Sequence, residues 1–118
     1  MMASMRIYFL LVAATVCVAA FAQESLGDNA RSTSQLYRRH CIACHGRDGK
    51  SKTSKGRFSH ARDLSDVEWQ ADVSDERIFN SIMNGRNVRG NMPSFANKLN
   101  EKQVNSLVTF VRGLKAQQ

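Results

Sequence analysis

Cys41-Ile42-Ala43-Cys44-His45 places two thiols three positions apart and an imidazole beside the second. This C-x-x-C-H spacing is the attachment signature of a c-type haem. Two cysteines on one helical turn can each form a thioether with a haem vinyl group, and the adjoining histidine can then reach the iron from the same side. Its Nε2 is the expected ligand atom, because an outer partner usually holds the other ring nitrogen. Two other chemistries use similar residues. Zinc needs four convergent donors; Cys41, Cys44, His40 and His60 are available, but their spacing follows no common zinc pattern. A thioredoxin-like dithiol expects a βαβ setting, which the chain does not offer. A Cys41–Cys44 disulfide would close a very short loop and gain little chain-entropy stabilisation.

The second axial position decides between an electron carrier and a catalyst or gas binder. Met83, Met92, His40 and His60 are the candidates. Met83 lies on the apolar stripe of a helix, where methionine usually fills core space. His40 adjoins the attachment turn and should not reach the far face. Met92 sits in a polar loop, Gly90-Asn91-Met92-Pro93-Ser94-Phe95, where no helical period calls for an apolar side chain. Pro93 stiffens the segment that would hold its sulfur. A thioether is a soft ligand that haem iron accepts, and His/Met ligation raises the reduction potential. His45 and Met92 are therefore the expected axial pair, with no catalytic residue. His60 is the rival, and without either residue the iron would keep an open position.

Positioning these groups requires helices. Ser32 with Gln35 fits a capping box, so a first helix is expected from Ser32 through Leu36 and Tyr37 to Cys41. Residues 46–62 hold three glycines and several Ser and Lys and read as a long loop. Ser74 should cap a second helix, with Asp75 and Glu76 in its first turn and Ile78, Phe79, Ile82 and Met83 on one face; Asn84-Gly85 stops it. Residues 86–98 form another loop. Asn100 with Gln103 opens the last helix, apolar at Val104, Leu107, Val108, Val111 and Leu114, with Phe110 beside them. No stretch alternates as a strand does, so the domain is all-α.

The 118 residues begin with an export pattern. Arg6, an apolar run over residues 7–20 and Ala20-Phe21-Ala22 make a signal peptide of residues 1–22. The run is short for a spanning helix, which needs about 20 apolar residues, although an uncleaved anchor is the alternative. Val16 before Cys17 argues against a lipoprotein. Cleavage would remove Cys17 and leave a flexible leader over residues 23–31 and one domain over 32–116. An exported product in the periplasm or an equivalent extracytoplasmic space is expected, with no stable membrane span. Without Arg6, 16 basic residues face 10 acidic ones. Residues 47–62 carry six bases and one acid, and residues 63–76 carry six acids and no base. These runs could attract one another or serve in docking. No nucleic-acid-binding motif accompanies the charge.

The chain resembles the small monohaem class I cytochromes c over about Ser32 to Lys115. The resemblance is carried by Leu36-Tyr37 before the Cys41–Gly46 motif, by Asp63-Leu64, Trp69 and Ser74-Asp75-Glu76, by Met92-Pro93 with Phe95, and by Asn100 to Leu114. It implies a cytochrome c fold, with three main helices and long loops wrapped around one covalently bound haem c. It also implies that the first and last helices cross, with Tyr37 and Phe110 as packing partners. Trp69 could donate its indole N–H to a haem propionate, with Arg57 or Arg62 supplying charge; a plain rim aromatic is the alternative. Relatives often carry a proline before the Asp-Leu pair whose carbonyl holds the ligand histidine. Arg62 stands there in this chain, so a carbonyl between Phe58 and Arg62 is expected to take that role.

The function so implied is a one-electron carrier, expected to be a monomer. Acidic redox partner proteins would dock at a basic haem edge formed by Arg38, Arg39, Arg86, Arg89 and Lys98. A haem enzyme or gas-binding sensor, and a haem subunit of a larger oxidoreductase complex, are the alternatives.

Overall fold

Capping chemistry and apolar spacing account for the elements that carry the core. A computed structural model describes residues 29–117; the expected signal segment 1–22 with Cys17, and residues 23–28, lie outside the described residues. Residues 29–40 form α1, and Cys41 leads into the single turn α2 (Ile42–His45). Then come α3 (Ser54–Phe58), α4 (Val67–Asp72), α5 (Asp75–Asn84) and α6 (Glu101–Gly113), with a 3₁₀ turn over Leu114–Gln117. Among the described residues there is no strand, and one isolated antiparallel bridge pairs Arg86 with Met92. Thr33–Gln118 is one compact unit and carries everything that follows.

Two expected helices start where their caps place them. The Ser74 side chain accepts from Arg77 N at 3.1 Å. Asn100 and Gln103 form the reciprocal capping box, at 2.9 Å from Gln103 N and 3.0 Å from Asn100 N. Two expectations need correction. Ser32 is not an N-cap, because the chain is already helical at residue 29; Ala30 and Arg31 are strong helix formers, and extending a helix costs less than starting one. Residues 46–62 are not loop throughout, because Thr53 caps α3 by accepting from Gly56 N. Asp66 likewise caps α4, accepting from Trp69 N at 2.7 Å. Helices of five and six residues are too short to show a 3.6-residue period.

The α6 stripe is the centre of the core. Val104, Leu107, Val108, Val111 and the following Leu114 are all buried, and each contributes about 1.5–3 kcal/mol relative to an exposed position. Ile78 and Ile82 from α5 join them, with Phe79 and Met83 at the margin. Tyr37 from α1 meets Phe110 from α6 with ring centroids 4.7 Å apart.

A polar knot ties α4 to α6. Buried Gln70 donates from Nε2 to the carbonyls of Leu64 (2.7 Å) and Val111 (2.8 Å). Arg112 donates to the carbonyls of Gln70 (2.7 Å) and Val73 (2.6 Å) and to Asp75 Oδ1 (2.7 Å). The basic run 47–62 and the acidic run 63–76 make no ion pair with each other among the described residues; Asp75 pairs instead with Arg112. Both runs are mainly solvated surface.

Candidate functional site

The attachment turn grows directly from the end of α1. Cys41 N donates to Tyr37 O (2.8 Å), and His45 N to Cys41 O (2.9 Å), so helical hydrogen bonding carries both cysteines and His45 on one turn. Both thiols are free and half-buried. Burial, and next the neighbouring Cys44, push the Cys41 thiol up to about 12, so it is a neutral S–H at physiological pH. Tyr37 closes the turn from beneath, donating from its hydroxyl to Gly46 O at 2.9 Å. Burial, then Cys41 and Asp48, hold that phenol above its usual range, so it stays a donor.

His45 is buried, and burial lowers its pKa against the opposing effect of its hydrogen bond to the Arg62 carbonyl. The ring is therefore neutral at pH 7. Its Nδ1 lies 3.0 Å from Arg62 O. A carbonyl only accepts, so the proton sits on Nδ1 and the lone pair on Nε2. No hydrogen bond among the described residues engages Nε2. Of the carbonyls between Phe58 and Arg62, Arg62 is thus the one used, at the place where the resembling proteins often have proline. The Ser51 hydroxyl donates to the same oxygen at 2.5 Å and lies 3.3 Å from Nδ1. Ser51 holds φ 55, a conformation that costs a non-glycine residue about 1–2 kcal/mol.

α3 braces this turn. Thr53 Oγ lies 2.8 Å from Ala43 O and 3.1 Å from Cys44 O, and it receives Gly56 N at 2.8 Å. Gly56 presses against the turn so closely that an added Cβ would stand 2.2 Å from Cys44 O and 2.8 Å from Ser51 O. Ser51, Thr53 and Gly56 carry no specific signal in the sequence. The T-x-x-G spacing of Thr53 and Gly56 and a serine following Gly49-Lys50 were the only available signals, and neither is specific.

Met92 sits half-buried against the core in a loop pinned at several points. Arg86 and Met92 exchange both backbone hydrogen bonds, at 2.8 and 3.0 Å. Asn91 N donates to Ser59 O (3.0 Å), tying the methionine loop to the segment that leads to Arg62. Ser94 Oγ donates to Met83 O, and Phe95 N to Ile82 O (3.0 Å), anchoring the other end on α5. Gly85, at φ 75, allows the approach: a Cβ there would lie 2.7 Å from Met92 O.

The other candidates lie elsewhere. His60 is exposed with φ 52. His40 is half-buried, edge-on to Phe95 with centroids 5.8 Å apart, and burial, Arg39 and Lys98 lower its pKa. Trp69 is half-buried against the core. Arg57 is exposed and donates to Lys52 O at 2.7 Å, and the Arg62 side chain is exposed while its carbonyl serves His45. Arg38, Arg39, Arg89 and Lys98 are exposed and Arg86 is half-buried; Lys98 Nζ stands 5.8 Å from the Phe95 ring centroid. Two free thiols, a neutral imidazole with an unengaged Nε2 and a half-buried thioether form a donor set suited to covalent haem.

The comparisons with known proteins agree with that chemistry. The family described as "Cytochrome C oxidase, cbb3-type, subunit III" matches residues 28–111. The cbb3-type cytochrome c oxidase subunit FixP of Rhizobium etli is 32% identical over 80 residues, 68% of this chain and 26% of the relative. FixPc of Rhizobium leguminosarum bv. viciae is 32% identical over 85 residues, 72% of this chain and 28% of the relative. The chain thus spans about a quarter of the length of these relatives. A solved structure titled KustC0563 c-type cytochrome is 44% identical with a TM-score of 0.64, covering 70% of this chain and 95% of that one.

The brace generates a test. Gly56→Ala forces a methyl onto two backbone carbonyls that cannot swing aside, and overpacking of this kind costs about 1–3 kcal/mol. Urea denaturation should show that loss as a lower midpoint with unchanged slope; an unaltered midpoint would mean that α3 does not bear on the attachment turn.

Proposed function

Because the chain belongs to the c-type cytochrome family described as cytochrome c oxidase, cbb3-type, subunit III, we propose that it is a one-electron haem module serving a larger extracytoplasmic oxidoreductase, with His45 and Met92 as its axial pair. The family's single covalent haem c supplies a ferric/ferrous couple when bound. The rest of the chemistry belongs to the protein. Cys41 and Cys44 present free, half-buried thiols for the two thioether bonds. His45 offers Nε2 because Arg62 O holds Nδ1–H. Met92 offers a soft donor from a loop held at Arg86, Ser59 and Ile82.

The observation that carries this assignment is the buried, neutral His45 with one nitrogen committed and the other unengaged. With His45 and Met92 both holding the group, no coordination site would remain for a substrate, and the bound haem would supply electron exchange without binding reactants. Trp69, with Arg57 or Arg62, would face the propionates. Residues 1–22 would direct export and 32–116 would be the haem domain, with residues 29–31, expected as leader, instead opening α1 ahead of it; no helix among the described residues is long and apolar enough to cross a membrane.

Service within a complex is favoured by the relatives named as cbb3-type oxidase subunits. A second reading, a free carrier, draws on the match to 95% of the length of a solved c-type cytochrome. In either case Arg38, Arg39, Arg86, Arg89 and Lys98 would meet an acidic face of a redox partner, and mutual charge would steer the encounter.

Three measurements test these assignments. Oxidised wild-type protein should show the weak far-red absorption band of methionine bound to ferric iron. Met92→Ala should abolish it and open the reduced protein to carbon monoxide, whereas a wild type that binds carbon monoxide readily would remove Met92 from the axial position. Electron transfer to the partner should slow as salt rises, and the double variant Arg86→Glu, Arg89→Glu should flatten that dependence; an unchanged slope would release both arginines from docking. Mild detergent extraction of native membranes should carry the haem-staining chain in an oxidoreductase complex, while recovery solely as a free small protein would favour the carrier.

A further inference from the structure

The feature of the His45 surroundings that turning the chain does not explain is Ser51. It is 8% exposed and holds φ 55. Glycine would adopt that conformation without steric strain, so the turn itself does not call for a serine side chain. What serine adds is a hydroxyl. That hydroxyl donates to Arg62 O at 2.5 Å, against 3.0 Å for the bond from His45 Nδ1 to the same oxygen, and stands 3.3 Å from Nδ1 itself. Ser51 N also donates to His45 O at 3.0 Å, which fixes the serine relative to the histidine backbone.

We propose that Ser51 is a positioning residue that shares the Arg62 carbonyl with His45 and so keeps the imidazole a weaker donor, an inference that rests on His45 being the iron ligand. A carbonyl oxygen has two lone pairs but one pool of electron density. The closer hydroxyl draws on it and leaves less for Nδ1–H. An outer acceptor raises the basicity of a ligand histidine, so a depleted acceptor raises it less. A less basic ring stabilises ferric iron less, and the ferrous state gains relative to it. With the hydroxyl in place the reduction potential sits higher; without it the His45–Arg62 bond tightens and the potential falls.

The test uses the haem-loaded protein and two variants that lack the hydroxyl. Ser51→Gly relieves the backbone strain and Ser51→Ala retains it, so their stabilities should diverge while their potentials move together. At a fixed ambient potential both should shift the ferrous-to-ferric ratio about threefold towards ferric, equivalent to about 28 mV at 59 mV per tenfold change for one electron. The Nδ1 proton of His45 should move downfield in the NMR spectrum of the reduced variants as its bond shortens. Unchanged potential and resonance in both variants, with covalent haem intact, would overturn the inference alone. A shift confined to Ser51→Ala would also overturn it, since strain rather than the hydroxyl would be responsible. A wild-type protein without covalent haem, or with iron bound elsewhere than His45, would overturn the ligand assignment and this inference together.

Discussion

The hydrogen bond from His45 Nδ1 to the Arg62 carbonyl is the constraint on which the rest of the site depends. A neutral buried imidazole needs a partner for its one N–H, and leaving such a donor unmade costs about 1–3 kcal/mol. Satisfying it with a backbone carbonyl requires the chain to travel from Gly46 round to Arg62 and return to the ring. That route explains why the segment between them is long, why it turns through left-handed residues at Ser51 and His60, and why α3 is wedged against the attachment turn. Each feature looks irregular alone, and each follows from bringing one oxygen to one nitrogen.

The helical core supplies the rigidity that such a bond needs. α6 is buried along its whole apolar stripe and contacts α1 through Tyr37 and Phe110. Tyr37 belongs to both systems, since its ring packs in the core and its hydroxyl holds Gly46 at the exit of the attachment turn. The Gln70–Arg112 knot does the same for the far side, tying the carbonyls of Leu64, Gln70 and Val73 to the end of α6 at Val111 and Arg112. Core packing and site geometry are joined by shared residues, so motion in one is resisted by the other.

The parts of this arrangement that follow a local rule were legible in the sequence. Ser74 and Asn100 cap helices because their side chains reach N–H groups three residues on, and the stripe from Val104 to Leu114 repeats at helical spacing. The C-x-x-C-H motif is likewise local. The start of α1 was misplaced because a capping sequence can lie inside a helix when its neighbours are good helix formers. α3 and α4 escaped notice because one or two turns have no period to read. Arg62 as the acceptor could be narrowed to five residues and no further, because any residue type offers the same carbonyl and sequence does not record which one points inward. Ser51 was invisible for a related reason: its role comes from an unusual φ, which serine does not advertise.

The bonds around His45 are also close together along the chain. Thr53 reaches Ala43 across 10 positions, Ser51 reaches His45 across 6, and His45 reaches Arg62 across 17. Met92 comes from much further away and is anchored on α5. Closing a short loop sacrifices less chain entropy than closing a long one, and contacts near in sequence form faster. The groups that hold the His45 ring are thus joined by short loops, which is the cheaper closure. Contour length therefore separates the two: the contacts around His45 close at little entropic cost, and the Met92 loop is tied in only by bridging a far longer stretch of polypeptide.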